Sequence, residues 1–123
     1  MASTVTLYGI PNCDQVRKAR AWLDMHGVAY RFHDFKREGL APALATRWLR
    51  QVGADLLINR KGTTWKKLSD AERLAAGAAD DTGAASGAAR LLGAHPSVVK
   101  RPVLEHGEQV TVGFDSVVYQ ALF

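Results

Sequence analysis

The sequence predicts an α/β domain built on a mixed, four-stranded sheet, and three observations predict it. The run Val5-Thr6-Leu7-Tyr8 alternates and is rich in β-formers; it breaks at Gly9-Ile10-Pro11-Asn12 and passes into apolar residues at helical spacing, Val16, Ala19 and Leu23. A second strand-like run, Val28 to Phe35, follows at the distance of a βαβ unit, which implies parallel pairing and a right-handed crossover. Toward the C-terminus, Val103-Leu104-Glu105 and Val110-Thr111-Val112 flank His106-Gly107-Glu108-Gln109, a hairpin signal.

Each intervening element has its own markers. For the first helix, Asn12 is the expected N-cap, Gln15 completes a capping box and Gly27 fits the C′ position. Pro42 suits the first turn of a helix running to about Val52 and closed by Gly53. Ala54 to Ile58 reads as one more helical turn, and Asn59 to Thr64 as a polar loop. Ser69-Asp70-Ala71-Glu72 is a second capping box, opening a helix toward Ala76. Asp81-Thr82 can cap a last internal helix ending near Gly93, and Ala/Gly dominance from Ala71 to Ala94 predicts thin helices. Phe114 to Phe123 is long enough for a short closing helix. With no repeat and no dividing linker, the expectation is one domain over residues 1–123 with a helical insertion at about 40–95. A thioredoxin-like fold with that insertion fits this order, as do other α/β sandwiches.

Composition narrows the function. A chain of 123 residues can bury a real core, and 47% apolar with 23% charged residues reads as soluble and globular. No apolar run reaches membrane-spanning length, and the first residues lack the basic patch and apolar stretch of a signal peptide. A cytoplasmic protein with no membrane partner is expected. Sixteen Lys+Arg against twelve Asp+Glu give a net charge of +4, a weak pointer to anionic partners. The basic residues are scattered, which argues against nucleic acid. Two local clusters are exceptions; at one, Lys66-Lys67 beside Trp65, the ordinary reading is a packed Trp with solvated lysines. His26, His33, His95 and His106 lack ligand spacing, so surface or capping roles and no metal are expected.

Cys13 is the single cysteine. The count forbids an internal disulfide and any metal site built on several cysteines. If Cys13 does redox work, the resolving thiol comes from another molecule. A cysteine of this kind can be an inert buried residue. Its place at the start of a helix points instead to chemistry, because unpaired backbone N–H groups and the positive end of the macrodipole favour the thiolate, which is the nucleophile. Arg17, one turn on, can add positive potential, although a solvated helix charge is its ordinary role; Asp14 opposes thiolate formation. Arg60, a loop cation, has the planar fork that suits oxyanions, and Lys61 stands beside it. Pro102 enters a strand. In the trans form it is an ordinary strand-entry proline, whereas a cis form would hold backbone groups of Arg101 open to an extended peptide such as glutathione.

Thr6-Leu7-Tyr8-Gly9-Ile10-Pro11-Asn12-Cys13-Asp14, with Lys18-Ala19 and Trp22-Leu23, resembles the opening of the arsenate reductase (ArsC)/Spx family. Leu57-Ile58-Asn59-Arg60 and Lys100-Arg101-Pro102-Val103 match two later signatures, while Phe32-His33-Asp34-Phe35 and Gly62-Thr63-Thr64-Trp65-Lys66-Lys67-Leu68 look like the YffB subgroup. The resemblance implies a thioredoxin-like fold with a helical insertion. It implies that Cys13 is the reactive cysteine of a glutathione- or glutaredoxin-coupled thiol reductase. Arg60 and Arg101 would line an oxyanion or glutathione pocket, and Pro102 would be a cis-proline facing the cysteine. Two departures stand out. Ile10 occupies the place of the partner cysteine in the Cys-x-x-Cys pair of Spx-type regulators, and Val112-Gly113-Phe114-Asp115 lacks the third arginine of arsenate reductases, which argues against arsenate itself.

The expected function is therefore a single-cysteine thiol oxidoreductase. Cys13 is the nucleophile, and Asn12, Arg60, Arg101 and Pro102 bind a small anionic or mixed-disulfide substrate. Glutathione or a glutaredoxin is the partner that resolves the adduct, with no resident cofactor. The alternative is an Spx-like regulator or adaptor that binds a protein such as RNA polymerase without using the thiol.

Overall fold

The computed structural model describes residues 4–76 and 87–123. In chain order the elements are β1 (Val5–Gly9), α1 (Asp14–Met25), β2 (Arg31–Asp34), α2 (Phe35–Glu38), α3 (Pro42–Val52), α4 (Ala54–Leu57), α5 (Thr63–Lys66), α6 (Asp70–Ala76), α7 (Gly87–Ala94), a 3-10 turn (Pro96–Val98), β3 (Val103–His106), β4 (Gln109–Val112) and α8 (Ser116–Leu122). They form two compact units, Met1–Phe35 with Arg101–Phe123, and Lys36–Lys100.

The first unit holds the sheet, in the order β2-β1-β3-β4. β1 and β2 are parallel, with Leu7 opposite Phe32. β3 is antiparallel to β1, with Tyr8 opposite Val103, and β4 completes the hairpin. This is the mixed thioredoxin-like sheet predicted from the βαβ and hairpin signals. Alternation sends Val5, Leu7 and Leu104 to one face, where they bury against Ala19 and Leu23 of α1 and Tyr119 of α8. The predicted helical spacing is thus the buried stripe of α1: Val16, Ala19 and Leu23 are all fully buried. On the opposite face the Tyr8 hydroxyl donates to Glu105 Oε1 at 2.6 Å, which satisfies a buried carboxylate.

Local chemistry sets the ends of these elements. Gly27 (φ 68°) follows the C-cap of α1; its N–H donates to Asp24 O at 3.2 Å and that of Val28 to Leu23 O at 3.0 Å, a Schellman closure. Gly107 (φ 62°) opens the two-residue hairpin turn Gly107-Glu108, the place where a type II′ turn favours glycine.

The second unit is helical. α3 buries Ala45, Trp48 and Leu49 and ends at Gly53, as predicted. α7 packs on α3 and α6 through Ala88, Ala89, Leu91 and Leu92. The predicted capping box on α6 forms in both directions: Glu72 N–H donates to Ser69 Oγ at 3.2 Å, and Ser69 N–H donates to Glu72 Oε1 at 3.0 Å.

Two expectations about these elements need correction. The second strand is Arg31–Asp34 and not Val28 to Phe35, because Phe35 instead opens α2 with its ring buried. Thr63 and Thr64 are not loop but begin α5, whose last carbonyls are held by Arg73: Nε to Trp65 O at 3.3 Å and Nη2 to Lys66 O at 2.6 Å. The turn Pro96–Val98 is an element the sequence pattern does not announce. Asp81-Thr82 lie outside the described residues. No helix among the described residues is long and apolar enough to cross a membrane.

Candidate active site

The site begins at Gly9. A Cβ on this residue would stand 2.6 Å from Val16 Cγ2, so only glycine lets α1 approach the end of β1 so closely. The chain then turns through Pro11-Asn12, with Cys13 N–H donating to Ile10 O at 3.4 Å. That turn moves the helix start by one residue from the expectation. Cys13, in extended conformation (φ −97°, ψ 129°), is the N-cap, and its carbonyl accepts the first helical bond, from Arg17 N–H at 2.9 Å. Asn12 is exposed and belongs to the turn, so the Asn12–Gln15 capping box does not form. The Cys13 side chain makes no capping hydrogen bond. The half-buried thiol therefore occupies the position from which a cap would reach the first-turn amides. Asp14 and Arg17 neutralise one another in an exposed pair at 3.0 Å.

The register brings a second segment to the same place. Tyr8 lies opposite Val103, so the end of β1 that leads to Cys13 is the end at which Arg101-Pro102 enters β3. The Arg101–Pro102 peptide is cis. Pro102 is buried, its carbonyl accepts Gly113 N–H at 2.8 Å, and Arg101 is half-buried. Asn12, Cys13, Arg101 and Pro102 thus share one end of the sheet. The C-terminal ends of parallel strands β1 and β2 meet there, the end at which open α/β sheets bind ligands. In the stretch that lacks the third arginine, Asp115 caps α8 by accepting Val117 N–H at 2.9 Å.

Arg60 belongs to the second unit. It lines an open cleft of about 260 Å³ with Asp55, Ile58, Asn59, Lys61 and Lys100. Its guanidinium sits 3.0 Å from Asp55 Oδ1 and 5.6 Å from the centre of the Trp65 ring. Trp65 is half-buried with Lys66 and Lys67 exposed, which is the ordinary reading of that cluster. His26 lies at the C-cap of α1, stacked on Trp22; His95 faces Glu72 at 3.1 Å; His106 stacks on Phe123. Among the described residues no three His, Cys, Asp or Glu are grouped as a metal would require. Sequence reasoning missed Gly9 and Asp55. A glycine between a strand and a turn looks like a simple breaker, and nothing in the spacing from Asp55 to Arg60 signals that they meet.

The family model for the ArsC family matches residues 8–122. The chain belongs to the ArsC family. Two solved structures of similar proteins match nearly the whole chain. The YFFB protein is 44% identical with a TM-score of 0.83, covering 96% of this chain and 97% of its own. An arsenate reductase (ArsC) related protein from Brucella melitensis is 45% identical with a TM-score of 0.68, covering 96% and 92%. The global transcriptional regulator Spx of Streptococcus mutans is 27% identical over 114 residues, 90% of this chain and 77% of that protein. The ArsC assignment thus holds over the segments whose motifs resemble that family, Cys13 and Arg101-Pro102 among them.

Proposed function

We infer that the chain is a glutathione-coupled thiol oxidoreductase with Cys13 as its nucleophile. The observation that carries this reading is the half-buried thiol at the N-cap of α1, making no cap bond of its own, at the sheet end where Arg101-Pro102 enters. A helix N-terminus presents backbone N–H donors to whatever group stands at its cap. For a mixed disulfide of glutathione, the Cys13 thiolate attacks the glutathione sulfur. One S–S bond forms as the other breaks, and the departing thiolate takes a proton from water. A second glutathione, or a glutaredoxin thiol, then attacks the Cys13 adduct and leaves with the glutathionyl group as a disulfide, which returns Cys13 to the thiolate. Overall the substrate's disulfide is exchanged: its own sulfur leaves as a thiol, the one attacking thiol is consumed, and its proton balances the one taken up by the departing thiolate. Arg101 is assigned to the anionic part of the substrate, where a guanidinium suits a carboxylate or small oxyanion. Arg60 is assigned to the same task on the family motif alone, and Asn12 and Pro102 to the wall against which glutathione lies.

The test is glutathione-dependent reduction of a glutathione mixed disulfide by wild type and Cys13→Ser, with mass spectrometry after exposure to oxidised glutathione. The expected result is one glutathione on Cys13 and no turnover by the variant; unchanged turnover refutes the mechanism. The likeness to Spx favours a second reading, an adaptor that touches a protein such as RNA polymerase. Capture of that partner equally well by wild type and Cys13→Ser, with no turnover by either, would select it.

A further inference from the structure

The cleft of the second unit is built more firmly than a polar loop requires. Its floor is a two-strand bridge in which Ile58 pairs with Val99, Asn59 N–H donates to Val98 O at 2.7 Å and Lys100 N–H donates to Leu57 O at 2.7 Å. Leu57, Ile58, Val98 and Val99 are buried, so Asn59 and Lys100 rise from backbone anchored in the core. Asn59 Oδ1 accepts Lys61 N–H at 3.2 Å, which fixes the loop that carries Arg60 and Lys61. Three cations and one carboxylate, Asp55, therefore line one cleft. Asp55 is 96% exposed, and its pair with Arg60 contributes little to stability in that setting. Its second oxygen is open to another donor.

A simple anion site has no use for Asp55, which repels the ligand and competes for Arg60. A ligand head that carries both a carboxylate and an ammonium uses Asp55 as well as the two lysines, with Arg60 holding Asp55 in place. We propose that this cleft binds the α-amino-acid head of a peptidic thiol of the glutathione type. The carboxylate lies on Lys61 and Lys100, and the ammonium lies on Asp55 while Asp55 still holds Arg60. The proposal rests on the glutathione reading above and names the part of such a thiol that this cleft takes.

The test uses the full chain with Cys13→Ser, so that no exchange occurs, titrated with S-methylglutathione and separately with glutarate, which has two carboxylates and no ammonium. Binding is followed by NMR shifts of the Asn59, Lys61 and Lys100 amides. S-Methylglutathione is expected to move these signals. Adding Asp55→Asn is expected to weaken S-methylglutathione about three- to fivefold while glutarate binds as well or better. Lys100→Gln is expected to weaken both. If Asp55→Asn tightens S-methylglutathione or leaves it unchanged, Asp55 is a mere counter-ion and the proposal is overturned; silent amides overturn it too. Failure of the underlying reading shows separately, as absence of a glutathione adduct on wild-type Cys13.

Discussion

Two helices of this chain begin in opposite ways. α6 starts with both halves of a capping box made, so the Glu72 and Ser69 N–H groups are satisfied within the chain. α1 starts with a cysteine at the N-cap whose side chain makes no cap bond. The first arrangement is a means of holding a short helix. The second puts the sole thiol where a capping side chain would stand, and a protein built for stability alone gains by putting Ser, Asp or Asn there. The difference separates a helix end used for structure from one left open for a reacting group.

The largest test of that contrast is Cys13→Ser. Loss of turnover by at least about a hundredfold is expected, because the nucleophile is gone. Thermal unfolding is expected to show the same or greater stability, by up to about 1 kcal/mol, because serine is a good N-cap. A variant that is both inactive and clearly destabilised would mean that the α1 terminus is already satisfied and the contrast is wrong. Next in size is Gly9→Ala. The added Cβ meets Val16 Cγ2 at 2.6 Å, and Val16, fully buried, has nowhere to move. A cost of about 1–3 kcal/mol is expected in denaturant midpoint. Turnover should fall beyond what stability explains, since the helix that carries Cys13 at its start is pushed from β1.

How far the fold was legible follows from where its information lies. The βαβ unit, the hairpin and both glycine closures on α1 and α3 could be read because period, turn residues and caps are local. The capping box at Ser69 could be read for the same reason. Asn12 misled because Asn is the better cap by propensity; the turn Ile10–Cys13, closed by a backbone bond, decides the register instead. The pairing of Cys13 with Arg101-Pro102 at one sheet end needs the β1–β3 register, and the family motifs stood in for it. The Asp55–Arg60 pair and the Ile58–Val99 bridge that supports the cleft are contacts no local pattern encodes.

On the structural side of the comparison the expected effects are smaller. Ser69→Ala opens the capping box, with an expected loss of about 1 kcal/mol in thermal unfolding and unchanged turnover. A fall in turnover would tie α6 to the chemistry and blur the distinction between the two helix ends. The finest test is the pH dependence of Glu72. The Ser69 N–H, then the Ser69 hydroxyl and to a lesser degree His95 hold its carboxyl below the usual range, against a small opposing effect of desolvation. A carboxyl whose folded value is depressed contributes stability that is present above its unfolded value, about 4.3, and lost as pH falls through the folded one. Glu72→Gln keeps a side chain able to bond back to the Ser69 N–H but removes the titration. Unfolding temperatures of wild type and variant are therefore expected to converge as pH is lowered from 6 toward about 3, the wild type losing its advantage. Parallel curves would mean that the box acts through geometry alone, and the charge on Glu72 would drop out of the account of why α6 is closed.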